Sequence, residues 1–298
     1  MTTLSKKRIL IDIKNFKNDE SQMKGIYAHF DEEDIYKAKA MIIGPEDTPY
    51  HNGFYFFDIE FPKNYPLYPP KVKFQTLDNR IRFNPNLYKC GKVCVSILGT
   101  WSGPGWTSVM TFTNVLVSIQ SLLNSKPIQN EPGFENETGE RCIKYNQTIE
   151  YFNYEVAILN MFSRPPPTFE VFKPIMEKHI CDNINHFINV VDSKRHLDNQ
   201  HIKTNIYGLY VKPEYAVLLD RFKKLKSDLN IIDIPKKIDK EVEAEQDSNS
   251  SKKKLFRKSP SESSKKYKIG DVIKSDNDGN MWKVVKFGDT TRWMKVID

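Results

Sequence analysis

The chain has 298 residues, 39% of them hydrophobic and 28% charged, and carries a net charge of +7. That apolar content builds a real core, and the length leaves room for parts beyond one ordinary domain. No apolar run reaches the ~18 residues of a membrane span, and Met1 to Arg8 lack the apolar stretch of a secretory signal, so no membrane role and an intracellular, cytoplasmic or nuclear, location are expected.

In chain order, Ile9, Ile13 and Phe16 fall on one helical stripe within residues 4 to 17. Tyr36, Ala38, Ala40 and Ile42 alternate with Lys37 and Lys39, and Tyr55, Phe57, Ile59 and Phe61 alternate with Asp58 and Glu60, which is strand periodicity. Gly44-Pro45 and Asn52-Gly53 punctuate these strands as turns, and Val72 with Phe74 gives a further short strand among prolines 62, 66, 69 and 70. From Thr113 onward, Val115, Leu116, Ile119, Leu122 and Leu123 form a buried helical stripe that Pro127 and Pro132 terminate.

Residues 143 to 162 and 169 to 192 read as helices separated by Pro165-Pro166-Pro167, and Pro174 places the true start of the second near itself. Another helix runs from Pro213-Glu214 to about Leu229. Charge and serine dominate residues 235 to 266, which read as a flexible linker. Much of the basic excess sits there, in Lys252, Lys253, Lys254, Arg257 and Lys258, so the folded core is not expected to bind nucleic acid. Three strands with two turns are expected within 267–298, over Val272-Ile273, Met281 to Val285 and Arg292 to Val296. Tyr267, Trp282 and Trp293 supply either the small core of that module or a peptide-recognising surface.

Cys90, Cys94, Cys142 and Cys181 form no Cys-x-x-Cys pair, which fits free thiols in a reducing compartment. His179, Cys181 and His186 match no common zinc spacing, so no metal is expected.

The run Phe83-Asn84-Pro85-Asn86 followed by Cys94 carries chemistry. A side-chain amide one short loop from a thiol can stabilise the oxyanion formed when a thioester on that thiol is attacked. With Phe61-Pro62-Lys63-Asn64-Tyr65-Pro66-Leu67-Tyr68-Pro69-Pro70-Lys71 upstream, Gly44 to Tyr50 with Gly53 before it, and Trp106 after it, the chain resembles the ubiquitin-conjugating enzyme family across roughly residues 4 to 190. The Thr100 to Trp106 insertion and Asn130 to Glu135 are similar to the larger members, especially the type called Z in animals.

The resemblance implies an α+β fold with a four-stranded antiparallel meander flanked by helices. Together with the composition and periodicity of the later segments, it divides the chain into a catalytic core at 1–162, a helical extension at 163–234, a charged linker at 235–266 and a small β module at 267–298. It implies that Cys94 accepts ubiquitin from an activating enzyme as a thioester and passes it to a substrate lysine or a ligase. Asn86 is then the oxyanion donor and Glu131 the carboxylate that helps an acceptor lysine lose its proton.

Asn84 stands where most of the family has histidine and is expected to support the loop, with Tyr88 and Trp106 packing around the site. Trp101 belongs to the insertion. Lys6, Lys7 and Arg8 align with the surface that meets the activating enzyme, and Leu67 and Val109 with the loops that meet ligases, although Thr107-Ser108-Val109 lacks the usual Ser-Pro-Ala. No cofactor is expected, ATP being consumed by the activating enzyme. Competing readings are a non-catalytic ubiquitin-binding module, a carrier of a ubiquitin-like protein, and a scaffold that works through its basic linker and C-terminal hairpins.

Overall fold

The computed structural model describes residues 4–18, 25–231, 267–274, 281–287 and 290–295. The linker at 235–266, with its Lys252 to Lys258 cluster, and the side chain of Trp293 lie outside the described residues. The chain divides into two compact units, Met1–Ile234 and Pro235–Asp298.

Unit one opens with α1 (Leu4–Asn18), whose buried face holds Ile9 and Phe16 as the stripe predicts, together with Ser5 and Asp12. Asp12 was invisible to a hydrophobic pattern. Its carboxylate pairs with Arg8 at 2.9 Å, accepts from the Tyr65 hydroxyl, and accepts at 3.3 Å from the Phe112 amide that opens α2 (Phe112–Leu122). A negative group at a helix start satisfies an orphan N–H and complements the helix dipole, which ties α1 to α2.

Four strands follow in the order of the chain, β1 (Ile26–Phe30), β2 (Lys37–Ile43), β3 (Phe54–Glu60) and β4 (Lys71–Phe74), as one antiparallel meander. β1, with the weakly alternating sequence Ile26-Tyr27-Ala28-His29-Phe30, was not named among the expected strands; it pairs along β2 from Ile26↔Ile42 to Phe30↔Ala38. Alternation predicted one buried face, yet Met41 and Phe56 are buried as fully as Ala40 and Phe57. The reason is tertiary: Phe169 and Phe172 pack on Phe56 at 5.0 and 6.2 Å, so the segment after the proline run covers part of the second face.

The helix expected at 143–162 is α3 (Glu140–Phe152), a π-helical stretch at Asn153–Asn160, and a last turn α4 (Met161–Ser163). Asn153, where the wider turn begins, accepts from the Tyr55 hydroxyl at 2.7 Å and donates to the His51 carbonyl at 2.9 Å. A Cβ on Gly53 would lie 1.9 Å from the Asn153 Oδ1, so this junction requires glycine.

A short 3-10 turn leads into α5 (Lys173–Ser193), with Pro174 in its first turn as expected. A two-stranded hairpin, β5 (Ile202–Lys203) with β6 (Tyr210–Val211), precedes α6 (Tyr215–Asp228), which packs on α5 through Phe187 and Phe222 at 5.4 Å. The hairpin was missed because strands of two residues carry no periodicity. Among the described residues no helix is long and apolar enough to cross a membrane.

Unit two is a three-stranded antiparallel sheet, β7 (Val272–Lys274), β8 (Met281–Phe287) and β9 (Thr290–Lys295), matching the three expected strands. Ile273 faces Trp282 across one ladder, and Val284 is buried.

Candidate active site

The loop between β4 and α2 folds back on itself. Tyr88 and Gly91 close a turn through Tyr88 N–H to Lys92 O and Gly91 N–H to Tyr88 O, both 2.9 Å. Gly91 has φ +89°, and a Cβ there would stand 2.9 Å from the Phe74 carbonyl, so only glycine fits. Leu87 then bridges to Val93, and the Cys94 amide donates to the Asn86 carbonyl at 2.9 Å. Two residues eight positions apart become neighbours. The Asn86 side-chain amide returns a bond to the Cys94 carbonyl at 2.7 Å.

Asn84 fastens this arrangement from beneath. It is fully buried; its amide donates to Leu122 O at 2.7 Å and to the Tyr50 hydroxyl at 3.0 Å, while its oxygen accepts the Asn86 N–H at 2.9 Å. Tyr50 in turn donates to Phe83 O at 2.7 Å. Burial raises the Tyr50 phenol well above its usual range, so it stays a donor. An amide suits this position because it donates and accepts at once.

Beside the loop runs a groove lined by Asn86, Val95, Ser96, Trp101 and Glu131 among others. Glu131 accepts a hydrogen bond from the hydroxyl of Tyr207, which lies in the β5–β6 hairpin. The Tyr207 ring also covers the Arg82 guanidinium at 4.1 Å, and Tyr88 covers it at 3.8 Å, while Arg82 donates to Pro85 O. Burial first, and donation to Glu131 second, push the Tyr207 phenol far up.

A family profile described as ubiquitin-conjugating enzyme matches residues 8–158, half of the chain. The chain belongs to the ubiquitin-conjugating enzyme family. It is 38% identical over 207 residues to "Ubiquitin-conjugating enzyme E2 Z" of Danio rerio, covering 69% of this chain and 63% of that protein. Identity to the protein of the same name in Homo sapiens is 41% over 178 residues, or 59% and 50% of the two chains. With "Probable ubiquitin-conjugating enzyme protein 17" of Caenorhabditis elegans it is 46% over 165 residues, 52% and 22%. The chain thus spans less than two thirds of each of these relatives.

The geometry brings some expected site residues of this ubiquitin-conjugating enzyme family member together and separates others. Asn84, Asn86, Tyr88 and Cys94 share one loop, and Glu131 shares the groove with Asn86. Although an acceptor thiol needs access to its partner, Cys94 is only 2% exposed; the surface thiol of the loop is Cys90. Trp106 packs elsewhere than expected: its indole N–H donates to Pro66 O at 2.7 Å and its ring lies 5.8 Å from Tyr65, so it braces the loop that presents Leu67.

Leu67 and Val109 are 71% and 80% exposed. Lys6 and Lys7 are exposed on α1, whereas Arg8 points inward, donating to Asp12, to Ser108 O at 2.8 Å and to Met110 O at 2.6 Å. His179 bonds Asn52 at 2.9 Å, and the His51 and His186 rings lie 5.6 Å apart. Arg82 and Tyr207 carried no signal in the sequence, and Tyr50 entered only as the last residue of the Gly44 to Tyr50 motif.

Proposed function

We propose that this chain accepts ubiquitin as a thioester on Cys94 and passes it to a lysine of a protein substrate, directly or with a ligase. The observation that carries the reading is the reciprocal pairing of Asn86 and Cys94, main chain to main chain at 2.9 Å and side chain to main chain at 2.7 Å, inside the family match. The Cys94 thiolate attacks the thioester carbonyl held by an activating enzyme; a new C–S bond forms, the old one breaks, and the leaving thiolate takes up a proton. One thioester replaces another, so the step is close to balanced and a thiol manages it without a dedicated histidine base.

A lysine amine then attacks the new thioester, and on this reading the amide of Asn86 hydrogen-bonds the oxyanion that develops. ATP is consumed by the activating enzyme, and this chain uses no cofactor of its own. Ubiquitin, the activating enzyme, a ligase that touches Leu67 and Val109, and protein substrates are the proposed partners, in the cytoplasm or nucleus.

The test incubates the full chain with activating enzyme, ATP and ubiquitin, alongside Cys94→Ser and Cys90→Ser. A reductant-sensitive adduct in the parent and in Cys90→Ser, replaced by a reductant-stable ester or lost in Cys94→Ser, is the expected result. No adduct with ubiquitin sinks the reading, and an adduct with only a ubiquitin-like protein redirects it to that modifier.

A further inference from the structure

We infer that Tyr207 is a positioning residue for lysine modification: its hydroxyl holds the Glu131 carboxylate at the groove beside Asn86, where that carboxylate receives the proton of the attacking amine. The inference rests on the proposed thioester chemistry at Cys94 and extends it to a residue outside the segment that the family profile matches, which ends at residue 158.

Three independent observations converge on Tyr207. Its hydroxyl donates to Glu131 Oε2, and Glu131 lines the groove that Asn86 lines. Its backbone is left-handed at φ 56°, beside Gly208 at φ 59°, a conformation that is uncommon for a bulky aromatic residue and calls for compensating contacts. Its ring supplies such contacts by covering Arg82 at 4.1 Å opposite Tyr88, and Arg82 donates to the carbonyl of Pro85, the residue before Asn86. Tyr145 adds a brace: its hydroxyl donates to Arg82 O at 2.9 Å and its ring meets Tyr207 at 6.2 Å. The hairpin tip therefore grips the catalytic loop with its ring and the carboxylate with its hydroxyl.

The chemistry gives the grip a use. When a lysine amine attacks the thioester carbon, a C–N bond forms, the C–S bond breaks, Cys94 leaves as thiolate, and the ammonium-like nitrogen must shed a proton. A free Glu131 side chain samples several rotamers, and one fixed by Tyr207 offers its second oxygen to the incoming amine with less conformational freedom to lose. A thiol acceptor, already able to react as thiolate, does not need that base.

The experiment charges the full chain with ubiquitin, quenches the activating enzyme, and follows single-turnover discharge to free lysine and, separately, to free cysteine. Tyr207→Phe keeps the ring on Arg82 and removes only the donor. Lysine discharge is expected to slow about tenfold, a part of the ~10²–10⁴ that a general base supplies, with charging and cysteine discharge unchanged. Glu131→Gln alone is expected to show a lysine-selective loss at least as large, and adding Tyr207→Phe to it to cost nothing more. Parent-like lysine discharge in Tyr207→Phe, equal slowing toward both acceptors, or losses that multiply in the double variant would overturn the inference while leaving the carrier reading intact. A parent chain that forms no Cys94 adduct overturns both.

Discussion

The Asn86 side-chain amide and the Cys94 carbonyl are joined by a 2.7 Å hydrogen bond, while the Asn86 oxygen, although buried, has no partner among the described residues. The amide is thus tied by one N–H to the Cys94 carbonyl, and its second N–H is the one that the proposed mechanism gives to the oxyanion. Asn86→Ala is expected to leave Cys94 charging near the parental rate and to slow lysine discharge by about 10²–10³-fold, the usual loss for one oxyanion donor. It also strands the Cys94 carbonyl, so urea unfolding should report a loss of about 1–3 kcal/mol. Lost stability with undiminished discharge would assign Asn86 to the scaffold alone.

Burial of Cys94 and exposure of Cys90 make a second contrast testable. A thiol 2% exposed reacts only when its loop opens locally, whereas an exposed one reacts from the native state. Under native conditions a maleimide reagent should modify Cys90 well before Cys94, with half-buried Cys181 between them and Cys142, whose thiol burial pushes up, as slow as Cys94. Peptide mass spectrometry of a labelling time course reads the order. Equal rates at Cys90 and Cys94 would mean that the loop opens freely without a partner.

Periodicity and punctuation reached the elements that local sequence governs: α1, β2 to β4, α2, α5, α6 and the C-terminal strands. The joining of Asn84, Asn86 and Cys94 in one loop was legible because the Asn-Pro-Asn turn signal and the thiol lie in one short stretch. What escaped was set by distant partners. Met41 and Phe56 are buried on the second face because Phe169 and Phe172 arrive more than a hundred residues later, and the π stretch begins at Asn153, whose partners Tyr55 and His51 lie about a hundred residues earlier. Tyr207 is the clearest case, since nothing local says that a turn tyrosine will meet Glu131.

Arg8 and its lysine neighbours look alike in sequence and differ in the fold. Arg8 bonds Asp12, Ser108 O and Met110 O, so Arg8→Ala takes the cation from the buried Asp12 carboxylate and a donor from the part-buried Met110 carbonyl. Its urea unfolding free energy should fall by about 2–4 kcal/mol, in the range for breaking a partly buried charge pair. Lys6→Ala with Lys7→Ala should stay within about 0.5 kcal/mol of the parent, as exposed substitutions do, and any slowing of charging should shrink as salt is raised. A stable Arg8→Ala protein with slow, salt-sensitive charging would return Arg8 to the partner surface.

The histidines between the β2–β3 turn and α5 give the fold a pH dependence with a definite sign. Burial, and after it the neighbouring His186, lower the His51 pKa against the opposing pull of Glu46 and Asp47; burial lowers that of His179 despite Asp182. Both rings therefore stay neutral in the folded chain at pH values where unfolded histidines, near ~6.5, already bind protons. The unfolded state then holds more protons, so the contribution to stability is complete above about pH 6.5 and is lost as pH falls toward the depressed folded values. The urea midpoint should drop between pH 7.5 and pH 5.5, and the drop should be smaller when His51→Gln and His179→Gln are combined, whatever the double variant's absolute stability. An undiminished drop would place the proton-binding difference in other groups.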